Sequence, residues 1–83
     1  MKFTLSVQQK RTLKKLSLTV FQRIITQIKS LGENPRPQGC RKIIGTKQNW
    51  RLRSGDDRII YEIDEKLRRV NIMRVRIRRE AYR

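Results

Sequence analysis

Histidine is missing from this chain, cysteine occurs once, and acids are scarce: 7 Asp and Glu stand against 22 Lys and Arg in 83 residues. Each shortage removes a class of chemistry. Without histidine there is no imidazole pair to run general acid–base cleavage of RNA. Cys40 has no second cysteine to pair with and no histidine to share a zinc ion, so it reads as a structural thiol. The carboxylates are no better gathered. Asp56-Asp57 has turn composition, and Glu62, Asp64 and Glu65 do not converge as the ligands of a two-metal nuclease would. No glycine-rich phosphate loop and no cysteine–base pair is present, so neither a metal nor a cofactor is expected. Met1-Lys2-Phe3-Thr4-Leu5 meets Lys10 and Arg11 too early for a secretory signal, and no apolar run reaches membrane-spanning length. These features predict a cytoplasmic protein with no membrane association.

What the chain has in excess is positive charge, a formal +15 and a pI near 11.5. Self-repulsion on that scale opposes compaction unless a polyanion or an acidic partner offsets it. Nucleic acid is the natural counterpart, because neutralising phosphates releases condensed counterions. A lipid surface fits less well, since no long amphipathic helix sets Trp or Phe opposite a lysine-rich face. Length predicts one domain over residues 1–83 with a small core. Only 36% of the residues are hydrophobic, but they are clustered into segments.

Met1 to Ser6 alternates Phe3 and Leu5 with polar neighbours and predicts a strand. Ser6 is placed to cap a helix over Val7 to Leu16. From Leu18 to Leu31, Val20, Phe21, Ile24, Ile25, Ile28 and Leu31 form one apolar stripe. Gln22, Arg23, Thr26 and Lys29 are left to water; Ser17 or Thr19 is the expected N-cap and Gly32 the stop. The short join predicts a helical hairpin. Glu33 to Gly39 holds both prolines and reads as loop. The period then becomes two, with strands predicted over Lys42 to Thr46, Asn49 to Arg53, Arg58 to Asp64 and Arg69 to Ile77. Ser54-Gly55-Asp56-Asp57 and Asp64-Glu65-Lys66 supply turns. The predicted architecture is α+β, in the order β-α-α-β-β-β-β, with the helical hairpin on one face of an antiparallel sheet.

Strand alternation sorts the charge. Ile59, Tyr61 and Ile63 share a face, as do Met73, Val75 and Ile77, whereas Arg58 and the set Arg74, Arg76 and Arg78 point the other way. Trp50 and Leu52 oppose Arg51 and Arg53 in the same manner. If the apolar sides meet the helices, Arg51, Arg53, Arg58, Arg74, Arg76 and Arg78 gather on the open face. Like charges opposite one another destabilise a sheet, so such a face makes physical sense with an anion on it. The planar fork of arginine suits phosphate. Arginines would then stabilise charge on a phosphorane-like transition state, the nucleophile being the substrate's own ribose 2′-OH. Lys10, Arg11, Lys14 and Lys15 make a second basic patch on the first helix, able to grip backbone phosphates or simply to face water.

Three stretches in order carry a family resemblance: Glu33-Asn34-Pro35-Arg36-Pro37-Gln38-Gly39, Lys42-Ile43-Ile44-Gly45, and Trp50 through Ile63. With the ending Val75 through Arg79, Glu80, Ala81 and Tyr82, the chain resembles the RelE/ParE superfamily of bacterial toxins over nearly its whole length. The resemblance implies the RelE-like, microbial ribonuclease-type fold. It further implies a metal-independent endoribonuclease that enters the ribosomal A site and cuts messenger RNA there, leaving a 2′,3′-cyclic phosphate. By position, Arg51 stands where the family has a basic catalytic residue and Arg58 where it binds phosphate. Arg78 matches a C-terminal catalytic arginine, and Tyr82 a tyrosine that stacks on or orients the substrate. Arg53, Arg74, Arg76, Arg79, Lys47, Lys10 and Lys14 would hold RNA. The partners implied are a cognate acidic antitoxin, messenger RNA and the ribosome with its 16S rRNA, with promoter DNA met only through the antitoxin.

Two positions depart from the pattern: Ile77 replaces a common histidine, and Arg76 the glycine before it. Arginine is a poor base, its pKa exceeding about 12, so Lys47, Glu80, Tyr82 and ribosomal RNA remain candidate proton acceptors. Two readings compete with the nuclease. One is a ParE-like inhibitor of DNA gyrase, which would share the fold and do no chemistry of its own. The other is a degenerate toxin kept as a nucleic-acid-binding module or antitoxin partner.

Overall fold

A computed structural model describes residues 1–46 and 48–77. The elements run β1 (Lys2–Leu5), α1 (Val7–Lys14), α2 (Leu18–Glu33), β2 (Cys40–Lys42), β3 (Asn49–Ser54), β4 (Asp57–Asp64) and β5 (Arg69–Arg76). Strand order is β1-β5-β4-β3-β2. The meander β2 to β5 is antiparallel, as the turn signals predict, but β1 pairs with β5 in parallel, Phe3 opposite Val70 and Leu5 opposite Ile72. The sheet is therefore mixed. A strand that reaches its neighbour only after two helices and three strands is not bound to the antiparallel geometry of a hairpin.

Both helices start where the serines predict. Ser6 Oγ accepts from Gln9 N–H at 3.2 Å and Ser17 Oγ from Val20 N–H at 3.4 Å, each satisfying an amide of the first turn. The apolar stripe of α2 delivers Ile24, Ile28 and Leu31 to a core completed by Leu13, Leu16, Ile59, Tyr61, Ile63, Val70, Ile72 and Val75.

Gly32 does not stop α2. The helix runs on to Glu33, and Asn34 ends it with its N–H on Ser30 O at 2.8 Å; Asn34 is extended (φ −136°, ψ 95°), as a residue before proline must be. Gly32 is instead buried where the chain start crosses the helix. The Met1 amine donates to Gly32 O at 2.6 Å, and a Cβ on Gly32 would lie 2.8 Å from Met1 O.

Three other expectations move. The second strand is Cys40–Lys42 and not Lys42 to Thr46: Ile43 to Thr46 turns back on itself, with Thr46 Oγ1 donating to Ile43 O at 2.8 Å and Gly45 at φ 87°. Asp57 is not turn material. It opens β4 with its side chain on the helical side, buried, and accepts both Arg23 Nε (2.9 Å) and Arg23 Nη2 (3.1 Å), so Arg23 ties α2 to the sheet. The turn proper is Gly55-Asp56, with Gly55 at φ 59°, the conformation glycine supplies in a tight hairpin.

Met73 does not share the face of Val75, contrary to simple alternation. A bulge in β5 sets Ile60 opposite Arg74 but Tyr61 opposite Ile72, leaving Met73 unpaired and half exposed. One extra residue reverses the alternation, so Val70 and Ile72 before it and Val75 after it all reach the core.

Tyr61, fully buried, secures the proline loop by donating its hydroxyl to Pro35 O at 2.7 Å. Arg36 adds to this clasp, its guanidinium 5.3 Å from the Trp50 ring centroid and 2.6 Å from Glu65 Oε1. Burial pushes the Tyr61 phenol well above its ordinary value, and the Cys40 thiol beside it adds to the rise.

Two outcomes follow from this packing. Gly32→Ala gains helix propensity but forces Met1 and β1 away, and is expected to lower stability by about 1–2 kcal/mol in urea titrations. Tyr61→Phe forfeits a buried hydrogen bond, about 1 kcal/mol at neutral pH. Because the folded phenol titrates above the unfolded one, the wild-type advantage holds below pH ~10 and fades above it as the unfolded chain ionises first. Denaturation of both proteins from pH 8 to 11 should show the gap closing.

Candidate nucleic-acid interface

The face of the sheet turned away from the helices carries the arginines in cross-strand rows. Arg53, Arg58 and Arg76 form one row, and Arg41, Arg51, Ile60 and Arg74 the next. All six arginines are exposed. Cβ atoms directly opposite one another in such rows stand about 4.5–5.5 Å apart, so the guanidinium groups share one field. Shallow depressions open here. One is bounded by Gly39, Arg41, Arg51, Arg53 and Gly55, one by Arg53, Gly55, Asp56, Arg58, Arg76 and Ile77, and one by Arg41, Lys42, Ile43, Ile44 and Arg51.

The rows hold their spacing because the other side of β3, β4 and β5 is anchored. Ile59 alternates with Arg58, Leu52 with Arg51 and Arg53, and Val75 with Arg74 and Arg76; Ile59 and Val75 are buried and Leu52 packs against them. The end of β5 has a further tie. β1 stops at Leu5, opposite Ile72, and the Val75 amide beyond it donates to Gln9 Oε1 of α1 at 3.1 Å, a buried bond. Gln9 thereby fixes the backbone between Arg74 and Arg76. Buried amides need partners, and here the partner comes from a helix.

Of the residues the sequence singles out, the structure brings together Arg51, Arg53, Arg58, Arg74 and Arg76. Lys10 and Lys14 ride on α1, whose Leu13 enters the core on the opposite side of the sheet, and do not join the rows. Lys47, Arg78, Arg79 and Tyr82 lie outside the described residues. Sequence reasoning missed Arg41, because a strand placed two residues late left it in the loop; its register opposite Arg51 puts it in the second row. It also missed Gln9, a polar residue on the inner side of a helix, for which periodicity gives only the burial and not the partner.

Beyond the second row the chemistry changes. Asn49, Glu62, Asn71 and Thr4 are successive cross-strand partners. Thr4 Oγ1 donates to Asn71 Oδ1 at 2.6 Å, and Asn71 Nδ2 donates to Glu62 Oε1 at 2.8 Å. Among the described residues no group of three or more Cys, Asp or Glu is placed to hold a metal ion, and no helix is long and apolar enough to cross a membrane.

Comparison with known proteins agrees with this architecture. The RelBE2 toxin–antitoxin complex of Mycobacterium tuberculosis contains a chain that superposes with a TM-score of 0.80 at 22% identity, covering 93% of this chain and 96% of that one. The archaeal RelE–RelB complex of Pyrococcus horikoshii gives 0.79 at 25% identity, with 96% and 97% covered. The isolated RelE toxin of Escherichia coli gives 0.75 at 17% identity, with 89% and 80% covered. No curated protein sequence matches the chain. The family described as ParE toxin of the type II toxin–antitoxin system parDE matches residues 4–82, and with that span covered the chain belongs to this family of toxins, within the RelE/ParE superfamily and with the RelE fold.

Proposed function

We propose that this toxin is a ribosome-dependent endoribonuclease that cuts messenger RNA in the A site. The observation that supports this reading is the pair of arginine rows: six exposed guanidinium groups fixed at strand spacing on one face. Arg58, flanked by Arg53 and Arg76, grips the scissile phosphate, and Arg51 and Arg74 hold its neighbour. As the 2′-oxygen closes on phosphorus, negative charge grows on the non-bridging oxygens, and preorganised guanidinium donors stabilise that charge more than they stabilise bound substrate. The bond to the 5′-oxygen breaks and a 2′,3′-cyclic phosphate remains. Arg78 and Tyr82 complete the site from the C-terminal segment. In this reading arginine binds and stabilises charge, and RNA supplies its own nucleophile.

In the cell the same face needs a cover, and we assign that role to a cognate acidic antitoxin. RelB is the antitoxin in the antitoxin–toxin complex of Methanococcus jannaschii, whose RelE shares this fold. Attraction between a chain of charge +15 and an acidic partner makes association fast and strongly salt-dependent.

Primer extension on a defined messenger RNA in a reconstituted translation mixture tests the nuclease. Discrete cuts are expected only with ribosomes present. Arg58→Ala or Arg78→Ala should slow them by about 10²–10³-fold, the usual consequence of removing one donor from a charged transition state. Intact message in a mixture whose translation is blocked would overturn this reading.

The ParE family match favours a second reading, inhibition of DNA gyrase by protein–protein contact. It predicts loss of supercoiling by purified gyrase at toxin concentrations that leave messenger RNA uncut. Unimpaired supercoiling at saturating toxin would remove it.

A further inference from the structure

On the open face the next carboxylate along β4 past the second arginine row is Glu62, whereas Asp56 lies at the opposite end, in the hairpin turn beside the first row. The setting of Glu62 is unusual for a chain of charge +15. Among the described residues no lysine or arginine stands within ion-pair distance of it; the two ion pairs formed are Arg23–Asp57 and Arg36–Glu65. Its partner is an amide: Asn71 holds Oε1 at 2.8 Å, and Asn71 is itself held by Thr4 at 2.6 Å. An arginine fork would occupy both carboxylate oxygens. The amide occupies one and leaves Oε2 without a partner among the described residues.

The position of this carboxylate matters as much as its partner. Ile60 lies between Arg51 and Arg74 in the second row, and Glu62 follows two residues on along β4, facing the same way. Two residues of strand advance about 7 Å, less than the combined reach of a glutamate side chain and a ribose. Arginine accepts no proton at physiological pH. Asp64, the next carboxylate on that face, lies a further two residues away and already accepts the Leu67 amide at 3.0 Å. A base oriented by a second group, itself oriented by a third, is the arrangement that activates hydroxyl nucleophiles.

We propose that Glu62 is the general base of the cleavage, with Asn71 and Thr4 as its positioning residues; this rests on the nuclease reading given above. Glu62 Oε2 takes the proton of the 2′-OH as the 2′-oxygen bonds to phosphorus. The phosphorus–5′-oxygen bond breaks, the departing 5′-oxygen takes a proton from water, and Glu62 returns its proton to solvent. No oxidant, reductant or further reactant is needed. Ile60 gives the ribose an apolar floor between the phosphate grip and the base.

Single-turnover cleavage on messenger-programmed ribosomes, with wild type, Glu62→Gln and Asn71→Ala, tests the assignment. Glutamine keeps an acceptor oxygen for Asn71, so the unfolding midpoint should hold. The rate at saturation should fall by about 10²-fold or more, the usual contribution of a general base. The half-saturating toxin concentration should stay the same or drop, since a negative charge has left a basic face. Asn71→Ala, which frees the carboxylate to swing, should slow cleavage less and leave affinity alone. Cleavage by Glu62→Gln at near wild-type rate, or parallel loss of rate and affinity, would overturn the base while leaving the nuclease reading intact. A wild type that cuts nothing overturns the nuclease reading itself and takes the base with it.

Discussion

Six guanidinium groups repel one another across adjacent strands, and what keeps them there is the burial behind them. Three of the four arginine strands carry an opposing load into the core that α2 helps to form: Leu52 from β3, Ile59 and Tyr61 from β4, and Val75 from β5. Full burial of one such side chain contributes about 1.5–3 kcal/mol, whereas a like-charge pair across exposed strands costs a fraction of that. The core therefore wins, and the residual repulsion is stored as attraction for any polyanion that arrives. Binding and folding are linked through the same strands: an anion that neutralises the face also stabilises the fold.

The tethers outside the core serve this arrangement at its margins. Arg23 and Asp57 clamp α2 to the start of β4, one residue before Arg58. Gln9 closes the amide of Val75 between two row arginines. Tyr61 and Arg36 strap the proline loop over the far side of β3. None of these touches the open face, yet each fixes the backbone beside a residue that does. The positional precision needed for phosphate chemistry thus comes from polar contacts on the hidden side of the sheet.

Much of this was legible in the sequence, because two periods suffice to read it. The 3.6-residue stripe from Val20 to Leu31 and the twofold alternation through β3 and β4 give the element order and the arginine face directly. The family resemblance read from the motifs agrees with the match over residues 4–82. What stayed hidden depends on partners far away in sequence. Gly32 looks like a helix stop, and only the crossing of Met1 shows that it is a contact point. Asp57 looks like turn composition until Arg23 arrives from 34 residues away. The parallel pairing of β1 has no local signature, and the hold of Thr4 on Asn71, which in turn holds Glu62, emerges only once β1 and β5 are side by side. The catalytic assignments to Arg78 and Tyr82 rest on the motif alone.

The bulge at Met73 gives this fold a phase. Val70 and Ile72 sit on one parity, Val75 on the other, and the unpaired residue is the switch between them. In terms of heritable change, the bulge is the one place in β5 where a residue can be lost without exchanging the two faces, because Met73 holds no position in the ladder. Losing Met73 would shorten the strand by one residue and restore simple alternation, with Ile72 and Val75 still inward and Arg74 and Arg76 still outward. Diversification in the length of this strand is thereby channelled to the bulge, and elsewhere to side-chain replacement.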